Sequence, residues 1–211
     1  MLLTNQGGRY ESSKLMTNTK VVSLDSDINV LKLSKKILKN EPKIIKKYPP
    51  RGFNGLITDG NTGLGSGSLT SRVYHFNVLG WWGTRSLRKW IRKGYEIYNG
   101  VSGPLYVQCW ANVMRKGEEI KSHKHSENSN TLDALSGHLC VQVDGFTSTY
   151  YQGNPILNKN GVISFFPSTI YHWTDKYMGD SERITVAFDI RSLEYFERDI
   201  YPDAREHWIK I

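Results

Sequence analysis

Between residues 104 and 190 the chain breaks into short apolar runs separated by turn residues, a pattern of strands and tight connections. In LYVQCWANVM (105–114), Tyr106, Gln108, Trp110 and Asn112 share one face of an extended strand, and Val107, Cys109, Ala111 and Val113 share the other. The small apolar face suits packing beneath helices, while the larger polar and aromatic face suits a pocket wall. Arg115-Lys116-Gly117 then reads as a turn. LSGHLCVQVDG, GVISFFP and RITVAFDI repeat the strand pattern, so the expected core is a β-barrel.

Chemistry-bearing residues fall at fixed places on this framework. His123, His125 and Glu127 are spaced by two, which on an extended segment points all three to one side. His172 follows Phe165-Phe166-Pro167 and a short turn, so it can return to the same pocket. Two histidines from a strand pair and a distant one, or two histidines and a carboxylate, meet the need of a facial triad, which holds Fe(II) on one side and leaves positions open on the other. In RITVAFDI, Ile184, Val186, Phe188 and Ile190 form an apolar face. Arg183 and Thr185 share the opposite face, where a guanidinium beside a hydroxyl can grip a carboxylate through forked hydrogen bonds.

These motifs together resemble the 2-oxoglutarate/Fe(II)-dependent oxygenase superfamily, and within it the compact oxygenases of bacteria and phages. The elements that carry the likeness are Trp110-Ala111-Asn112, His123-Lys124-His125, Ser136-Gly137, the 161–167 run leading to His172, and Arg183-Ile184-Thr185. The resemblance implies an α+β chain with a double-stranded β-helix (jelly-roll) core and flanking N-terminal helices. It also implies Fe(II), O2 and 2-oxoglutarate, with the far carboxylate of 2-oxoglutarate on Arg183 and Thr185 and with Asn112 and Trp110 lining its site. His125 and His172 are the first ligands to expect. The third is open: the superfamily's usual His-x-carboxylate pair selects Glu127, with glutamate in place of the usual aspartate, whereas the His-x-His likeness selects His123. The implied reaction is hydroxylation of a peptide side chain, nucleobase or small metabolite, with release of succinate and carbon dioxide.

The remaining sequence is read as support for that core. At 211 residues the chain is expected to form one domain, with residues 1–103 as helical and loop support, 104–190 as the jelly-roll and 191–211 as a C-terminal segment. A helix is expected from Ser26 to Asn40, capped by Asp25 or Ser26, with Leu24, Ile28, Leu31, Ile37 and Leu38 inward and Pro42 ending it. The Gly/Ser-rich stretch 59–71 lacks the order of a phosphate-binding loop and reads as a flexible rim. Arg72–Leu79 reads as a strand, with His75 structural. Thr84 caps a second helix that Gly100 stops, with Leu87, Trp90, Ile91, Ile97 and Tyr98 inward. His138 reads as structural and His207 as a surface residue. Leu193 and Phe196 belong to a short helical segment broken at Pro202.

Charge and cysteine content narrow the partners. The net charge of +8 points to an acidic partner, with Arg85, Arg88, Lys89, Arg92 and Lys93 on the second helix as the expected polyanion contact. Cys109 and Cys140 sit apart among strand residues and read as two buried thiols, which favours a reducing, cytoplasmic setting. No apolar run is long enough for a membrane helix, and the first residues lack a secretory pattern. Two other readings compete: a cupin-like jelly-roll that binds metal or ligand without oxygenase activity, and a basic nucleic-acid-binding module.

Overall fold

The structure, a computed structural model, describes residues 20–50, 62–100, 103–126, 134–200 and 202–211. Nine strands and three α-helices appear among them: β1 (Val22–Asp25), α1 (Val30–Lys47), α2 (Arg85–Asn99), β2 (Leu105–Met114), β3 (Ala134–Gln142), β4 (Ser148–Tyr151), β5 (Asn154–Leu157), β6 (Val162–Pro167), β7 (His172–Thr174), β8 (Arg183–Ser192), α3 (Leu193–Asp199) and β9 (Ile209–Lys210). Six strands make a large antiparallel sheet in the order β1-β6-β3-β8-β2-β9, and three make a small one in the order β5-β4-β7. A bridge between His123 and His172 adds the segment after β2 to the free edge of β7. The chain thus passes from β2 to the small sheet at His123, back to β3, out to β4 and β5, back to β6, out to β7 and home to β8. That shuttling between two facing sheets is the double-stranded β-helix.

Strand parity places the core where the sequence puts it. Val107, Cys109, Ala111 and Val113 are buried beneath the helices, as are Ile184, Val186, Phe188 and Ile190 of the neighbouring β8. They join Leu33 and Ile37 of α1, Leu87 and Ile91 of α2, and Phe165 of β6 in one apolar cluster. Two glycines set how closely layers approach. A Cβ at Gly94 of α2 would lie 1.9 Å from the Phe165 ring, and one at Gly137 of β3 would lie 2.3 Å from the Ser164 carbonyl oxygen. Cys109 and Cys140 are both buried and free.

Several local expectations are corrected. Residues 22–25 pair with β6 instead of opening the first helix, so Leu24 belongs to a strand and the cap is Asn29, whose side chain accepts from the Lys32 amide. Leu31 is 64% exposed, and the inward stripe is Leu33, Ile37 and Ile44. Pro42 does not end α1. The helix runs on to Lys47 because Ile44 packs on the core and Glu41 is clasped by Arg115 at the end of β2 (3.1 and 2.8 Å), contacts that outweigh the one lost backbone bond. Thr84 and Gly100 flank α2 as expected, but Ile97 is 48% exposed, and Gly94 with Tyr95 completes the buried face.

Residues 72–79 are not a strand but two short 3-10 turns, Thr70–Arg72 and Val78–Gly80. Buried Arg72 draws the main chain around itself by donating to the Tyr48, Ser66 and Ser68 carbonyls. Asn77 donates to the Val107 and His207 carbonyls, so side chains do the work of a ladder. The same bonds tie down the described part of the Gly/Ser stretch; its residues before Thr62, with Asp59, lie outside the described residues. The C-terminal segment adds an unexpected strand, β9, on the edge of β2. Phe196 of α3 is buried and stacks on Tyr106 at 3.9 Å, which removes Tyr106 from the pocket wall. Leu193 is 36% exposed, and His207 is half-buried against the Tyr74 and His75 rings. No helix among the described residues is long and apolar enough to cross a membrane.

Candidate metal centre

A cavity of about 230 Å³ lies between the two sheets. Its walls are the inward faces of β2 and β8, which supply Gln108, Trp110 and Asn112 from one strand and Arg183, Thr185, Ala187 and Asp189 from the other. The small sheet closes it with His172 and Thr174, the 120–125 segment supplies His123 and His125, and Thr62 and Thr70 form the rim.

At one end the ligand nitrogens of His123, His125 and His172 lie within 4.8 Å of one another. Each ring is fixed by its Nδ1. His123 donates to the Lys121 carbonyl at 2.8 Å, His172 to the Ile170 carbonyl at 3.1 Å and His125 to Asp189 Oδ1 at 2.6 Å. Carbonyl and carboxylate oxygens only accept, so each Nδ1 is the donor in its bond, which leaves Nε2 of each ring as the atom that can ligate. The Nε2 atoms of His123 and His125 are 3.3 Å apart, close enough for one cation to touch both. Two nitrogens bound to one metal at ~2.1 Å and near a right angle lie about 3 Å apart, so the donor set fits a transition-metal ion. Burial, and then the neighbouring His125 and His123, hold His172 well below the ordinary histidine pKa, in the neutral form a metal requires.

Behind His125 is a buried polar network. Ser136 donates to Asp189 Oδ1 at 2.5 Å and reaches Ser168 at 2.9 Å, and Arg191 donates to the Ser168 hydroxyl at 3.2 Å. Burial alone would raise the Asp189 carboxyl, but His125 beside it, with Arg191 and Ser136, outweighs that and holds it below the usual carboxylate range. The network explains why Ser136 precedes Gly137 on β3: one supplies a hydroxyl on the cavity side, and the other lets the β6 backbone approach.

At the other end lies Arg183, 1% exposed. It donates to Thr147 Oγ1 at 3.4 Å and contacts Met114 Sδ at 3.2 Å, and among the described residues no carboxylate is paired with it. Burial lowers its pKa, the mark of a charge held without a full counterweight. Asn112 is fixed beside it, accepting from Thr70 at 2.6 Å and donating to Thr185 at 3.4 Å. His138, also on this wall, is pushed down to about 3 by burial and by Arg183, and it contacts the Tyr151 hydroxyl at 3.4 Å, which fits its structural reading.

Of the sequence candidates, the structure brings His123, His125, His172, Arg183, Thr185, Asn112 and Trp110 into one cavity, with the Trp110 ring 5.6 Å from His125. Glu127 lies outside the described residues. Asp189 is the main residue that motif reading passes over. Its signal is plain in the parity of β8, since it follows Arg183, Thr185 and Ala187 on the same face. Of the five basic residues on α2, Arg88 donates to the Leu79 carbonyl and Arg92 to the Gly103 and Ile211 carbonyls. Both are engaged with the protein's own main chain.

No family model matches the chain, and no curated protein matches it. Solved structures share the fold at low identity. A viral collagen prolyl hydroxylase from Paramecium bursaria Chlorella virus-1, in its 2-oxoglutarate complex, has 11% identity and a TM-score of 0.56 over 83% of this chain and 97% of its own. AviO1 from Streptomyces viridochromogenes has 10% identity and 0.54 over 83% and 90%. The epimerase SnoN, in complex with Fe3+, alpha-ketoglutarate and a nogalamycin compound, has 10% identity and 0.53 over 82% and 79%. The double-stranded β-helix implied by the sequence motifs is therefore the fold of this chain, and it is one used by non-haem iron, 2-oxoglutarate-dependent proteins.

Proposed function

We propose that the protein is an Fe(II)- and 2-oxoglutarate-dependent oxygenase that hydroxylates its substrate with release of succinate and carbon dioxide. The observation that carries this reading is the pairing within one cavity of a three-imidazole cluster and a buried arginine that pairs with no carboxylate among the described residues. His123, His125 and His172 would hold the metal, with His123 in the position left open between it and Glu127. Iron bound there would supply O2 activation coupled to decarboxylation of the oxo-acid. The chain's own residues do the positioning. Arg183 offers a charged fork to the distal carboxylate, Thr185 and Asn112 present a hydroxyl and an amide on the same wall, and the Trp110 ring lies against His125. Asp189 orients His125 and shares its Nδ1 proton, a carboxylate acting through a ligand.

The cupin-like alternative predicts metal binding without a 2-oxoglutarate effect. Anaerobic addition of 2-oxoglutarate to the Fe(II) protein separates the two: the oxygenase reading expects a visible charge-transfer band and, with oxygen, succinate. Iron binding with neither result would overturn it. A screen for substrate-stimulated succinate release over peptides, nucleotides and small acids would then identify the substrate class.

A further inference from the structure

Away from the cavity, α1 and the turn before α2 build a second surface that the oxygenase reading leaves unused. Helix α1 carries seven lysines and one carboxylate, Glu41. That carboxylate is buried in its pair with Arg115, so it does not offset the lysines on the outer face. Among the described residues no ion pair engages any of these lysines. Lys32 and Lys36, Lys35 and Lys39, and Lys43 and Lys47 stand four apart, where like charges destabilise a helix and a glutamate would have stabilised it. Solubility alone does not require an arrangement that costs the helix stability.

The lysines face aromatic rings. Trp82 is 82% exposed, and the Lys32 and Lys36 amino groups sit 5.2 and 5.8 Å from its ring centre. Lys36 also donates to the Trp82 carbonyl. Beside it runs a shallow groove of about 390 Å³, with Tyr48, Phe76 and Trp81 recessed in its floor and Lys36, Lys43 and Lys47 on its bank. Flat apolar faces alternating with ammonium groups match a ligand that alternates flat rings with anions.

We propose that this groove binds single-stranded nucleic acid, with phosphates on Lys36, Lys43 and Lys47 and a base stacked on Trp82. A duplex keeps its base faces covered and offers Trp82 nothing to stack on. A membrane surface would call for protruding apolar side chains, whereas three of the four aromatics here are recessed. Binding at the groove does not require the oxygenase reading to hold.

The test is fluorescence anisotropy of a labelled single-stranded oligonucleotide titrated with the full chain across a salt series. Three phosphate contacts give a log–log salt slope of about −2. Trp82→Ala weakens binding about tenfold or more through loss of stacking, and the Lys43→Ser/Lys47→Ser double variant flattens the slope to about −0.7. The same sequence as a duplex binds more weakly. Co(II) binding unchanged in these surface variants confirms that the fold is intact. The proposal is overturned if no binding occurs at low salt. It is equally overturned if heparin, duplex or anionic vesicles bind as tightly as the single strand, or if Trp82→Ala has no effect.

Discussion

The two ends of the cavity are prepared in opposite ways. At the histidine end a carbonyl, a carbonyl and a carboxylate each accept from one Nδ1, which leaves the three Nε2 atoms as the ligating set, while Arg191 Nε in the network behind them is buried without a hydrogen-bond partner among the described residues. At the arginine end, among the described residues, the buried guanidinium pairs with no carboxylate, and Asp144 acts on its charge only through space. The first end offers nitrogen lone pairs to a cation, and the second offers a positive charge to an anion. A buried guanidinium in that state costs stability, so its persistence is better explained by a ligand than by folding.

The largest expected effect comes from the histidine end. His172→Ala and His123→Ala should each abolish tight Fe(II) binding and succinate release, read by metal titration and product assay. Metal binding that survives His123→Ala but is lost in Glu127→Gln would move the third ligand to the carboxylate. At the arginine end, Arg183→Met should weaken 2-oxoglutarate binding about a hundredfold or more while leaving thermal stability equal or higher, because it removes an uncompensated charge. A fall in both would break the contrast between the ends. Asp189→Asn keeps the shape but removes the charge behind His125, and should lower metal affinity about 10–100-fold, with Asp189→Glu recovering part of it.

The smallest effect is one of pH. His138 stays neutral in the fold down to about 3, while an unfolded histidine takes a proton near 6.5. Between those values the unfolded chain binds more protons, so stability contributed by neutral His138 is full above pH 6.5 and is lost as pH falls toward 3. Denaturant melts at pH 7 and 5 should show this slope, and His138→Asn should flatten it. Since Arg183 adds to the depression, Arg183→Met should flatten it in part.

What could be read from sequence follows from how local each cause is. Strand parity is a property of the residues themselves, so the core faces of β2 and β8 and the pocket position of Arg183, Thr185, Trp110 and Asn112 were all legible. Asp189 was legible by the same rule, but it belongs to no motif. Tyr106 obeyed parity and still left the pocket, because Phe196, ninety residues on, stacks over it. The start of α1 was misplaced because the pairing of residues 22–25 with β6 depends on a strand far along the chain. Its end was misplaced because Arg115 holds Glu41 beside the proline. Residues 72–79 have strand-like composition, yet the side-chain bonds of Arg72 and Asn77 decide their backbone. Periodicity does not report on those.

The two-way backbone pairing of His123 and His172 (3.2 and 3.0 Å) has a consequence for how the protein is supplied with metal. Those bonds are made by main-chain atoms alone, so folding itself sets the His123 and His172 rings side by side. On the oxygenase reading, a site gathered by the backbone does little to choose its ion, and three nitrogens favour nickel and copper over iron. Identity of the bound metal is then a matter of cellular supply, and chelation should empty the site reversibly while the fold remains standing.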